Sequence, residues 1–298
     1  MRALITGGRG FVGHHLAHHL RTQGDDVTVI DLEHDVADAD VMSEVVRDAQ
    51  PDVLYHLAAI SHVGQSWDDP TAVLRVNVLG TAVVLAALRR HQPAGRMLLV
   101  SSAEVYGMVT PEELPLTELS PVVPSSPYAA SKAAAEVVAL QGVRGFGQHV
   151  VIARAFNHIG PGQSPTFFVP AIATRLVAAQ REGRTTMAVG NLAARRDFTD
   201  VRDVVRAYRL LAVHGVNGEV YNVASGVDRS MHDIAEDLRR AVNEAIAFET
   251  DPALLRPLDL PVLRGSYDKL RAATGWEPNI DFTTTLHDIL ESVSSATA

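Results

Sequence analysis

Thr6-Gly7-Gly8-Arg9-Gly10-Phe11-Val12-Gly13 follows a short apolar run, Arg2–Thr6, and opens a helical pattern over Phe11–Thr22. Gly7 permits the tight turn, Gly10 lets backbone approach a pyrophosphate, and Gly13 lets the helix lie close on the strand. The helix start, with Phe11 and Val12, then offers free N–H groups and a positive dipole end to phosphate oxygens. Three glycines alone are weak evidence, but their place between a first strand and a first helix makes them a strong dinucleotide signal. Asp31 ends the next β-type run, Asp26–Asp31, 18 residues after Gly13. A carboxylate there accepts hydrogen bonds from adenosine ribose hydroxyls and repels a 2′-phosphate. This favours NAD over NADP, a preference that Arg9 softens.

Outward from this turn, β-type runs at Val53–Ala58, Met97–Ser102 and His149–Ala155 alternate with helical patterns near Val41–Asp48, Thr71–Arg90 and Tyr128–Phe146. The runs are almost continuously apolar, as in a sheet covered on both faces. The expectation is an α/β fold, a doubly wound parallel Rossmann sheet with a smaller C-terminal substrate lobe. The reading assigns 1–157 to the nucleotide-binding domain, with a sheet-returning segment near 198–225. It assigns 158–298 mainly to the lobe, with a helix over Pro170–Arg181. A strand-helix pair, Glu219–Ala224 and Met231–Val242, is a candidate to rejoin the main sheet.

Composition narrows the function. Of 298 residues, 47% are apolar and 20% charged, enough for a large core, and the net charge is −9. That balance argues against nucleic acid or an anionic membrane as partner. There is no cysteine, which excludes disulfides, thiol nucleophiles and Cys-ligated zinc. Met1-Arg2 runs straight into Ala3-Leu4-Ile5 and glycines, so secretion is not expected, and the reading is a cytoplasmic protein.

Chemistry is carried by Ser102, at the end of an apolar run, and by Tyr128 and Lys132 in Pro127-Tyr128-Ala129-Ala130-Ser131-Lys132. A four-residue spacing puts phenol and ammonium on one helix face, one turn apart. The ammonium is expected to lower the tyrosine pKa, so that Tyr128 exchanges a proton with a carbonyl or alcohol oxygen that Ser102 holds. A dinucleotide sensor on the same fold would have no need of that proton donor.

With these residues in place, the chain resembles the extended short-chain dehydrogenase/reductase family, over nearly its whole length. The resemblance rests on Gly7/Gly10/Gly13, Asp31, His56-Leu57-Ala58-Ala59, Asn77 in Asn77-Val78-Leu79-Gly80-Thr81, Ser102 and Tyr128/Lys132. Within the family it looks most like the branch acting on GDP-linked 6-deoxyhexoses. That likeness lies in Ser101–Gly107, Arg154–Gln163, Gly190–Phe198 and Leu255–Val262.

The resemblance implies that Asp35, Val36, Leu57, Ala58, Ala59, Asn77 and Phe156 line the cofactor site, with Lys132 also holding the nicotinamide ribose. It implies that Asn157, Arg196 and Arg256 hold the substrate pyrophosphate, consistent with the guanidinium fork. The implied reaction is NAD(P)H-dependent reduction of the C4 keto group of a nucleotide-linked 6-deoxyhexose. Nucleotide-sugar 4,6-dehydration and C4 epimerisation are the alternatives, and the implied assembly is a homodimer.

Glu104 stands where related dehydratases place the base that removes the C5 proton. It is therefore a catalytic candidate. Ala103 in place of a neighbouring acid does not decide this, but the C-terminal signatures favour the reductase, under which Glu104 reads as a substrate contact or a structural acceptor. His14, His15, His18 and His19 form i,i+4 pairs without a third metal ligand and read as a solvated face. His62 and His158 fall near the expected cleft without an assigned proton transfer, and Trp67 and Trp276 read as packing residues.

Overall fold

The computed structural model describes residues 1–251, 254 and 261–296. Five parallel strands form first: β1 (Arg2–Thr6), β2 (Asp26–Ile30), β3 (Val53–His56), β4 (Arg96–Ser102) and β5 (His149–Ala155). Helices α1 (Phe11–Thr22), α2 (Ala39–Ala49), α3 (Pro70–Leu74), α4 (Gly80–His91) and α5 (Pro127–Phe146) connect them. A π-helical turn, Arg75–Leu79, fuses α3 to α4. The chain then leaves the sheet through β6 (Asn157–Ile159), α6 (Phe168–Arg181), β7 (Thr186–Val189) and β8 (Arg195–Asp200). Helix α7 (Val201–His214) brings it back to β9 (Val220–Val223), the sixth strand.

The sheet order is β2-β1-β3-β4-β5-β9, all parallel. The winding reverses between β1 and β3, and ligands of such sheets lie beyond the strand ends at that switch point. Alternate strand residues feed opposite cores. Ile5, Tyr55, Leu98 and Val151 pack with Leu16 and Leu20 of α1 and Val204 and Leu211 of α7. Leu4, Leu54, Met97 and Ile152 pack with Met42 of α2, Val84 of α4 and Ala139 of α5. Pro70–His91 is long and apolar enough to cross a membrane by length and composition, but its Val84, Leu85 and Leu88 are buried in this second core.

The remaining elements are β10 (Asp228–Ser230), α8 (Met231–Val242), β11 (Ala247–Thr250), β12 (Val262–Leu263), α9 (Asp268–Thr274) and α10 (Phe282–Ala296). Helices α6, α8 and α10 enclose a separate core with Met187, Val189 and Phe198. Two details depart from the sequence reading. Strand β9 joins the main sheet, but α8 does not follow it, because Ile234, Ala235 and Leu238 fit the lobe core. Conversely, Leu270 and Trp276, from a stretch left with the lobe, are fully buried beneath the sheet, and the Trp276 indole donates to the Asp203 carbonyl at 3.0 Å. Trp67, expected to pack, is 56% exposed, because its 3-10 turn buries Ser66 instead.

Candidate active site

A cleft of about 1130 Å³ lies between sheet and lobe. That is room for more than one drug-sized ligand. Its floor is the glycine turn. Gly7 has φ +68°, and a Cβ there would sit 2.8 Å from the Ala58 nitrogen; at Gly13 a Cβ would meet the Gly7 carbonyl oxygen at 2.5 Å. Helix α1 starts at Gly10 with no side-chain cap and no acid in its first turn. Its leading N–H groups therefore face the cleft undiluted by a protein carboxylate, which suits a dinucleotide pyrophosphate.

Phe11, Val12, Asp31, Asp35, Val36, Leu57, Ala58, Ala59 and Phe156 line the same cleft. The Asp31 carboxylate accepts from the Arg9 and Leu32 amides at 2.7 and 2.9 Å. The Arg9 guanidinium turns away to Glu33 at 2.9 Å. Asp35 is ion-paired with Arg75, which holds its carboxyl below the usual range, together with the Ala37 amide.

Asn77 departs from expectation: it is 2% exposed and lies behind the wall. Its side chain accepts from the Ile60 amide and donates to the Ile60 carbonyl and the Ser131 hydroxyl. The residue ties the loop after β3 to α5, so it shapes the site rather than lining it.

The three chemical residues line the same cleft. Ser126 caps α5 by accepting from the Ala129 amide, and Pro127 fills the first turn. Tyr128 thereby emerges at the helix start, with Lys132 one turn on. Ser102 ends β4 and hydrogen-bonds the Tyr128 phenol. The Lys132 ammonium donates to the Val100 carbonyl at 2.8 Å.

The electrostatics reverse one expectation. Burial pushes the Tyr128 phenol up to about 12, the Ser102 hydrogen bond opposes this, and the Glu104 charge adds to it. Burial pulls Lys132 down to about 8, against the raising effect of Glu136. Desolvation disfavours every charged form in a closed cleft. Here burial sets the value, and the lowering comes from the Ser102 hydrogen bond rather than from the ammonium that was expected to supply it. Beneath them His56, fully buried, is held near 3 by burial and by the Lys132 charge; its Nδ1 pairs with the Thr6 hydroxyl at 2.8 Å.

Glu104, just after β4, Asn157 and Arg196 also line the cleft. Arg256 lies outside the described residues. Sequence reasoning missed Arg175, on the cleft-facing side of α6, whose guanidinium reaches the Ala171 and Ala188 carbonyls at 3.2 and 2.8 Å. His158 stacks on Phe11 with ring centroids 6.2 Å apart, and His62 also lines the cleft. Of the α1 histidines, His14 and His18 are exposed, but His15 and His19 are half-buried. The His15 ring bonds the Pro161 carbonyl at 2.9 Å.

A switch-point cleft with a glycine floor and a Ser-Tyr-Lys centre defines a nucleotide-dependent enzyme of the dehydrogenase/reductase type. The comparisons agree. The family model for GDP-mannose 4,6 dehydratase matches residues 32–289. GDP-6-deoxy-D-mannose reductase of Pseudomonas aeruginosa is 37% identical, over 99% of this chain and 97% of the relative. A dTDP-glucose 4,6-dehydratase of Streptomyces niveus is 33% identical over 81% of this chain and 77% of its own. Among solved structures, RMD from Pseudomonas aeruginosa complexed with NADPH superposes with a TM-score of 0.91 at 34% identity, covering 99% and 100% of the two chains. The UDP-glucose 4-epimerase of Thermus thermophilus with NAD gives 0.89 at 29%, with the same coverage. The chain belongs to the GDP-mannose 4,6 dehydratase family, within the extended short-chain dehydrogenases/reductases.

Proposed function

We propose that the protein reduces the C4 keto group of GDP-4-dehydro-6-deoxy-D-mannose, giving GDP-D-rhamnose, with NADH or NADPH as reductant. The observation that carries this is the meeting of Ser102, Tyr128 and Lys132 in one cleft with an uncapped α1 start and two lobe arginines, Arg175 and Arg196. A reduced nicotinamide dinucleotide, when bound on the glycine floor, supplies the hydride.

The chain's own residues do the rest. Ser102 donates a hydrogen bond to the keto oxygen and fixes its place. Tyr128, kept protonated by burial, gives its proton to that oxygen as negative charge develops there. Lys132, anchored to Val100 one helical turn beyond Tyr128, is the cation assigned to stabilise the phenolate left behind. Arg196 and Arg175 neutralise the substrate diphosphate. The Pseudomonas reductase, of nearly equal length, supports this choice of reaction.

A 4,6-dehydration reading is favoured by one observation: Glu104 lines the cleft and its charge acts on the Tyr128 phenol, so a carboxylate base lies beside the proton donor. Mixing the protein with GDP-4-dehydro-6-deoxymannose and NADH or NADPH separates the readings. Loss of the reduced-nicotinamide absorbance is expected. A flat trace with both reductants, alongside consumption of GDP-mannose at constant cofactor, would establish the dehydratase instead.

We also read the protein as a cytoplasmic homodimer. Leu74, Leu79 and Val137 are 46%, 49% and 68% exposed on α3, the π-helical turn and α5, a face suited to pairing with its copy. Light scattering on the eluting protein should return twice the chain mass.

A further inference from the structure

Behind the cleft wall lies a buried charge cluster that the proposed chemistry does not use. Glu136 stands one turn beyond Lys132 on α5, as Lys132 stands one turn beyond Tyr128. Arg154, on β5, grips its carboxylate with a fork, Nε to Oε1 at 3.0 Å and Nη2 to Oε2 at 2.7 Å. The Ser101 hydroxyl donates to Oε1 at 2.5 Å. The remaining Arg154 nitrogen donates to the Tyr106 hydroxyl at 3.1 Å, which itself donates to Asn222 at 2.6 Å. Ser101, Glu136 and Arg154 are 3%, 4% and 5% exposed. Ser101 and Ser102 thus brace the same helix two turns apart, one on the carboxylate and the other on the phenol.

We propose that Glu136, clamped by Arg154 and Ser101, is a positioning residue that holds Lys132 protonated at the floor of the cleft. Around the ammonium, among the described residues, stand the Val100 carbonyl from β4, the neutral His56 imidazole from β3 and Glu136 from α5 itself, with the Arg154 cation of β5 behind Glu136. Among the described residues Glu136 is the anion that acts on it, one helical turn away on α5, and it works against burial. A buried charge without such a partner gives up its ionised form. The inference rests on the role assigned to Lys132 above.

The chain contains only two lysines, Lys132 and Lys269, so lysine-labelled NMR reads the Lys132 titration directly, without cofactor or substrate. Lys269, at the surface with Glu219, is the internal reference and reports folding. In Glu136→Gln the Lys132 midpoint should move down by about 1 pH unit or more, a tenfold change or larger. Glu136→Gln/Arg154→Met, which leaves no unpaired buried charge, should move it the same way but by less, because the Arg154 cation that opposes protonation of Lys132 goes with it, and the alkaline limb of turnover should follow. A Lys132 midpoint in the folded double variant equal to that of the wild type overturns the proposal. If the wild type reduces no sugar nucleotide, the assigned reaction fails while the titration result stands by itself.

Discussion

Lys132 Nζ lies 2.8 Å from the Val100 carbonyl oxygen, which ties the cation on α5 to the strand that carries Ser102. The bond leaves Tyr128 as the group with a proton to give, since burial keeps its phenol near 12. Tyr128→Phe removes the acid but keeps the ring, so turnover should fall by about 10²–10⁴. Dinucleotide affinity should stay within about threefold, because no glycine-floor contact changes. Stopped-flow reduction and fluorescence titration measure the two quantities. Turnover near the wild-type rate would remove the phenol from the mechanism.

The alkaline limb of that reaction belongs to Lys132. Its folded value, about 8, lies below the ordinary 10.5, so the ammonium is present below pH 8 and lost above it. Turnover should decline as pH rises through about 8. A Lys132→Met variant, already slow, should show no such limb in its pH profile.

The sheet, its first turn and the Tyr128/Lys132 pairing were legible because each depends on local spacing: period two, period 3.6, or a glycine at a fixed offset. Partners across the fold were not. The apolar stripe of α8 shows which face is buried, but not that α6 rather than the sheet receives it. Asn77 was read as a cleft residue because motif likeness records identity, not depth, and the π-helical turn that carries it behind the wall has no sequence signature. Glu136 did leave a trace, since it continues the four-residue ladder from Tyr128 and Lys132. Its partner Arg154 sits on a different element, β5, 18 residues away. Arg175 looked like any helix-surface arginine, because only tertiary packing decides that its face borders the cleft.

Cofactor choice turns on Arg9 and Glu33. Asp31 presents a carboxylate at the end of β2, while Glu33 holds the Arg9 guanidinium at 2.9 Å, away from a 2′-phosphate. The expectation is preference for NADH, although the Pseudomonas RMD structure contains NADPH. Glu33→Gln frees Arg9 for phosphate, and the ratio of NADPH to NADH affinity should rise about tenfold, or about 1.4 kcal/mol. Calorimetric titration with each dinucleotide tests this. An unchanged ratio would assign the selectivity to Asp31 alone.

Asp197 makes stability pH-dependent. Its carboxylate accepts from the Ser225 amide and hydroxyl and from the Gly226 and Gly265 amides. Burial nevertheless pushes it up to about 6, those hydrogen bonds opposing. A raised carboxyl contributes stability that is fully present below its unfolded value near 3.8 and lost as pH rises through about 6. Between those limits the contribution is on the order of 3 kcal/mol. Asp197→Asn lacks it, so the wild-type advantage over the variant in urea melts should shrink from pH 4 to pH 7. A constant difference would contradict the assigned titration.

Arg196 and Arg175 come to the same cleft from different elements, β8 and α6, and the proposed reaction assigns both to the substrate diphosphate. The Arg175 guanidinium donates to two neutral acceptors, the Ala171 and Ala188 carbonyls, and burial holds it below its usual value. Both should serve ground-state binding of the nucleotide. Each arginine→Met variant should therefore raise KM for the sugar nucleotide by about 10- to 100-fold while leaving kcat within about threefold. Dinucleotide affinity should not move, because neither residue borders the glycine turn. GDP alone, titrated into wild type and variants, isolates the diphosphate contact from the sugar. If Arg175→Met binds GDP as tightly as the wild type does, then the guanidinium serves only to fasten α6 to Ala188, and Arg196 carries the diphosphate from this side of the cleft.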